Sequence, residues 1–225
     1  MKIVSFDSAR VTWLLPLEEF APASGVNSVS VVGEIAARYN FSQVPTISTR
    51  EAMAKNGLQF GMGRFDVDGT SFIVTDFVVY NDGLVAVAEK TEWAEAFLEN
   101  VVSWVKSEFG FREISSGIRK LYGSTLIVDF ETPLSRLLAG YDHIAKLISS
   151  RAITIMPNPH PLQFSRLDFE VDKTTLEGQV ALPKFILERR GGVPFLQERY
   201  YAVAPMHTAD HLDVLTEIEK LAAGS

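Results

Sequence analysis

Along 58–63 the apolar residues Leu58, Phe60 and Met62 alternate with Gln59, Gly61 and Gly63, the two-residue period of a half-buried strand. Asp68-Gly69 then turns the chain. A second run, 72–80, is rich in Val, Ile, Phe and Thr, and Asn81-Asp82-Gly83 supplies residues that tolerate a tight hairpin turn before 84–88 returns. The period then lengthens: Ala94, Phe97, Leu98, Val101 and Val105 recur at helical spacing, with Thr91 as cap and Gly110 as stop. The pattern predicts a β-meander feeding an amphipathic helix. In the central run, unbroken alternation sets Phe72, Val74, Val78 and Tyr80 on one side and Ile73, Phe77 and Val79 on the other. Both faces then read as apolar, and each needs a cover.

Upstream, 2–6 and 9–15 read as two short strands with a break at Asp7-Ser8, and a helix starts at Ser28 or Ser30 and ends at Asn40. Ser48 and Glu51 stand at capping-box spacing before a short helix over 51–56, closed by Gly57. Downstream, 118–121 and 125–130 read as strands around Gly123. Thr132-Pro133 starts a helix with the apolar stripe Leu134, Leu137, Leu138, Tyr141, Ile144, Ala145 and Ile148. The proline-rich stretch 157–161 forbids regular structure; strands resume over 162–171 and 185–190, and Gly191-Gly192 turns into a last strand over 195–204. Thr208 caps the final helix. If Thr91 is laid on Thr208, Leu98 falls on Leu215, Val101 on Ile218 and Val105 on Ala222, which suggests two related halves.

The expected fold is therefore α+β, a largely antiparallel β-meander sheet with helices packed on one face. The chain of 225 residues reads as one compact domain, with two tightly packed lobes, 1–110 and 111–225, as the alternative. Absence of cysteine excludes disulfides, thiolate metal ligands and cysteine nucleophiles. The opening residues lack a signal-peptide pattern and no run suits a membrane span, so the expected location is the cytoplasm, with no membrane partner. A net charge of −7 disfavours nucleic acid as partner. Hydrophobic residues at 47% point instead to apolar surface covered by another chain.

Candidate chemistry is sparse. His207 and His211 stand four apart, but no Glu follows the first and no third ligand is indicated, so packing of His211 at a helix edge is preferred and no metal is expected. Asp66-Val67-Asp68-Gly69 starts like a calcium loop and then runs into a strand. Gly57, Gly61 and Gly63 lack the Lys-Ser/Thr of a phosphate loop and read as strand glycines admitting a ring or another backbone. Asp76, an acid in an apolar strand, and His211 are the candidates for a pocket between sheet and helices. Arg189, Arg190, Arg199, Tyr200 and Tyr201, with Trp93 off its helix stripe, are the candidates for an interface, against a solvated strand face on which Glu188 and Glu198 pair the arginines. No cofactor motif and no catalytic constellation is found. The leading expectation is a non-catalytic interaction or assembly subunit of an intracellular complex, partnered by another protein or by itself. The alternative is a small-molecule-binding protein or enzyme.

Overall fold

The structure is a computed structural model that describes the chain except residues 23, 24, 26, 47–55, 68, 115–116, 153–161, 176–181 and 225. It is an α+β fold. Eight strands, β1 (Lys2–Leu14), β2 (Leu58–Val67), β3 (Thr70–Tyr80), β4 (Gly83–Ala88), β5 (Arg119–Asp129), β6 (Arg166–Phe169), β7 (Phe185–Arg189) and β8 (Arg199–Ala204), run in the order β2-β3-β4-β1-β5-β8-β7-β6. The β1–β4, β2–β3, β3–β4, β6–β7 and β7–β8 pairs are antiparallel. Five α-helices are described: α1 (Leu17–Phe20), α2 (Ser28–Arg38), α3 (Thr91–Phe109), α4 (Asp142–Ala152) and α5 (Thr208–Gly224). The chain divides into a first unit, Asp7–Ser124 with Pro205–Thr208, and a second, Met1–Phe6, Thr125–Ala204 and Ala209–Ser225. The division runs through β1 and β5 rather than falling at residue 110.

In the first unit, α3 meets the sheet with Ala94, Phe97, Leu98, Val101 and Val105, all buried as the spacing predicts, and Gly110 closes it in the left-handed conformation. Asn27 caps α2, accepting the amides of Val29 and Ser30, and Val31, Val32 and Ile35 face inward. The core between these helices and the sheet is aromatic. The Phe97 ring packs edge-on against Tyr39, Phe41, Phe65 and Phe77 at centroid distances of 5.0–6.2 Å. In the second unit, β6, β7 and β8 form a meander that leads into α5, whose His211, Leu215 and Ala222 are fully buried.

Several expectations are corrected. β1 is one strand: Asp7 and Ser8 carry no backbone restriction, so hydrogen bonding continues through them. β5 likewise continues through Gly123, where an added Cβ would meet nothing within 4 Å. The two-faced apolar reading of 72–80 fails because alternation slips by one at Thr75-Asp76, both exposed, so that Phe72, Val74 and Phe77 all turn inward. The slip is matched on β2 by Met62, whose φ of 55° rotates the strand opposite. Ile73 is left half exposed. The stretch after Pro133 is first a 3-10 helix, Leu134–Tyr141, and only then α4. β6 is four residues long, and β8 starts at Arg199 because Pro194 opens a 3-10 turn, Phe195–Gln197, ended by Glu198 at φ 46°. Of the helix expected over 51–56 only Asn56 is among the described residues; Asp68 and the proline stretch 157–161 lie outside them.

Thr91 and Thr208 do not cap alone. Each is the first residue of its helix, and the two buried hydroxyls exchange roles: Thr208 Oγ1 accepts the Thr91 amide at 3.0 Å while Thr91 Oγ1 accepts the Thr208 amide at 2.7 Å. The hydroxyls themselves lie 3.1 Å apart, within hydrogen-bonding reach. Two orphan helix amides 117 residues apart are thus satisfied by one reciprocal clamp. The strand glycines behave as the spacing predicts: Gly63 admits the ring of Phe41, and Gly61 exchanges backbone hydrogen bonds with Gln43.

Candidate functional site

Of the arginines singled out in the sequence, Arg189 and Arg199 are built into their own unit by ion pairs. Arg189 is buried, paired with Glu198 at 2.8 Å, donating to the carbonyls of Phe164 and Phe195 at 3.0 and 2.9 Å, and lying over the rings of Phe195 and Tyr200. Glu198 in turn accepts the Leu134 amide at 3.1 Å and the Tyr200 hydroxyl at 3.0 Å. Every strong donor around that carboxylate is thus used. The pairing expected on a solvated face exists, but in the interior, because the 3-10 turn folds Glu198 back under the hairpin. Burial drives the Tyr200 hydroxyl well above its ordinary pKa, so it stays protonated and donates.

Arg199 forms a two-pronged bond to Asp129 at 2.7 and 2.9 Å, which holds that carboxyl below its usual range. Arg190 is exposed, with its guanidinium over the half-buried Tyr201 ring at 6.0 Å. Trp93 stacks on Phe72 with centroids 5.1 Å apart, and Lys90 sits over the indole at 4.8 Å. Asp76 is exposed on β3 opposite Gly61 and Val87. His211 is fully buried, edge-on to Phe185 at 5.9 Å, and burial pushes its pKa down to about 4. It is neutral at pH 7.

A half-buried cluster that sequence reading did not assemble lies in the first unit. Lys120 and the Tyr122 hydroxyl both donate to Glu95, at 2.7 and 2.9 Å, and Tyr122 packs on His207 with ring centroids 3.8 Å apart. Burial alone would raise the Glu95 carboxyl; the two hydrogen bonds outweigh it and hold the group below its ordinary value. Lys120, Tyr122 and Glu95 are thus committed to one another. Among the described residues there is also no group of three His, Asp or Glu placed to hold a metal ion.

Two apolar features remain. In the second unit the expected stripe is inside only at its start, where Leu134 is buried: Tyr141 is 67% exposed and Ile144 and Ile148 are 47–50% exposed, with Leu147, outside the expected stripe, exposed beside them. Tyr141, Ile144 and Ile148, with Leu162, Phe164 and Leu167, line a groove of about 520 Å³. Leu147 was the available signal, since it widens the apolar arc of α4 beyond what one packed face needs. In the first unit a cavity of about 120 Å³ lies between α2, α3 and the sheet, floored by Val32, Ile35, Phe60, Phe77, Val101 and Val105, with Ser28 as its one polar lining residue. Neither Asp76 nor His211 lines it.

No protein-family model matches this chain, and no curated protein matches it. Among solved structures it is similar to Methanococcus jannaschii TBP, with 12% sequence identity and a TM-score of 0.44 over 98% of each chain. A likeness that slight carries no function. No helix among the described residues is long and apolar enough to cross a membrane.

Proposed function

We propose that this chain is a non-catalytic interaction subunit of a cytoplasmic complex, and that the groove beside α4 receives apolar side chains of another protein. The observation that carries this is an exposed apolar strip: Tyr141 at the end of the 3-10 helix and Ile144 and Ile148 of α4 line the groove with Leu162, and Leu147 of α4 is exposed as well, a patch of the kind that marks a contact surface. The internal commitment of Arg189, Glu198, Glu95, Lys120 and Tyr122 agrees with a chain that performs no chemistry of its own. Tyr141 suits the centre of such a contact, since a large aromatic with a polar tip gains area at small entropic cost.

The test is the native mass of the complex purified through a tag on this chain, repeated with Ile144→Glu and Ile148→Glu together. The reading expects a stoichiometric protein partner, or a second copy, that is lost in the double variant. A monomer of 24.9 kDa, a partner retained by the double variant, or nucleic acid as the co-purifying component each overturns it.

A further inference from the structure

We infer that the first unit carries a binding site for a small neutral apolar molecule, a single aromatic ring or a hydrocarbon of similar bulk, in the cavity between α2, α3 and the sheet. The cavity exists because short β-branched residues face each other there: Val31 and Val32 of α2 look across at Val101, Val102 and Val105 of α3, and no side chain spans the gap above Phe60 and Phe77. Its volume of about 120 Å³ is of the order of cavities that stay dry and take up benzene.

The lining decides the class of ligand. Ser28 is the sole polar residue of the lining, no charged residue lines the cavity, and the Val29 and Ser30 amides that follow it at the start of α2 are already taken by the Asn27 side chain. A carboxylate or phosphate head would therefore enter without a partner and forfeit its hydration. A neutral molecule loses nothing.

The mouth is also clasped. Leu17 and Phe20 of α1 form one lip and Phe111 another, with the Phe20 and Phe111 rings 4.8 Å apart. Arg112 fastens the lips together through three carbonyls: its amide donates to Phe20 at 2.8 Å, and its guanidinium to Ala21 and Glu18 at 2.6 and 2.8 Å. The two guanidinium bonds lie at the surface, where water competes for each partner. Exchange of the occupant then requires the α1 lip to lift away from Arg112.

The experiment is a titration of the full chain with toluene, read on methyl resonances. Saturable shifts at Val31, Val32, Val101 and Val102, with none at Leu187 or Leu215, are expected; no saturable shift, or shifts spread over both units, overturns the site. Octanoate is the contrast: binding tighter than toluene overturns the neutral class. Val102→Phe fills the gap and should abolish the toluene shifts with a Tm no lower than the parent, and the milder Val32→Leu should weaken them if the larger ring disturbs folding. Toluene shifts undiminished in both variants overturn the assignment. Arg112→Ala should leave affinity within about twofold and speed exchange several-fold; unchanged exchange overturns the clasp.

Discussion

The two units use one grammar and fill their interiors differently. Each runs through three antiparallel strands into a helix that starts on a threonine, and laying α3 on α5 by those threonines places Ala94 on His211, both fully buried. The core of the first unit is built of rings: Tyr39, Phe41, Phe65 and Phe77 pack on Phe97, and Phe60 packs on Phe41 and Phe77, with no charge among them. The second unit buries, beside apolar residues such as Leu126, Val128, Phe185, Leu187 and Leu215, an arginine, a glutamate, a tyrosine hydroxyl and an imidazole. An aromatic core gains from area and edge-to-face geometry, neither of which responds to pH or salt. A buried polar core holds only while every donor keeps its acceptor. The units should therefore fail in different ways, which gives means to separate them.

The largest effect is expected from Arg189→Ala. Glu198 would keep its Leu134 and Tyr200 donors but lose its cation in a buried position, a loss of about 3–5 kcal/mol. The midpoint of denaturant unfolding, followed by a probe in the second unit, should fall accordingly and do so equally in low and high salt, since a buried pair is barely screened. A loss below about 1 kcal/mol would mean that water reaches the pair and that the polar core is less closed than the geometry implies.

The next effect separates the units by pH. His211 is held neutral in the folded chain by burial, with a pKa near 4 against 6.5 when unfolded. Above pH 6.5 both states are neutral and the residue contributes no pH dependence. As the pH falls from 6.5 towards 4 the unfolded chain takes up a proton that the folded chain refuses, so stability drops by about 3 kcal/mol across that window. Unfolding free energies measured from pH 7.5 to 4 should show this slope, and His211→Gln should remove it. An unchanged slope in the variant would place the titration elsewhere. Ala94, at the matching place in α3, has nothing to titrate.

This contrast also explains what the sequence could reveal. The α3 stripe, its Gly110 stop and the β3–β4 turn were legible because period and turn chemistry are local. The kink that turns Phe77 inward was not, because Met62 is no glycine and nothing in Thr75-Asp76 announces a change of phase. Arg189 looked like a surface residue since arginine at a hairpin usually is; its burial depends on Pro194 and a left-handed Glu198 that return the carboxylate beneath it. The α4 stripe was legible as a stripe, yet periodicity says which residues share a face and not whether anything covers that face. The Glu95, Lys120, Tyr122 and His207 cluster joins three separate segments, and spacing carries no trace of it.

The smallest of these effects bears most directly on the shared grammar. Each threonine satisfies the other's amide, so Thr91→Ala removes the acceptor of the Thr208 amide and the partner of the Thr208 hydroxyl, which still accepts the amide of residue 91, and Thr208→Ala does the reverse. Ordinary cap removal costs about 1 kcal/mol, and two independent caps would add. The clamp adds one shared contribution: the bond between the two hydroxyls is lost in either single variant, so the double alanine variant should cost less than the sum of the two by about that one hydrogen bond. A double-mutant cycle on unfolding free energies should therefore give a coupling of about 1 kcal/mol. Additive losses would mean that each helix is capped from its own side, and that the two threonines meet without depending on one another.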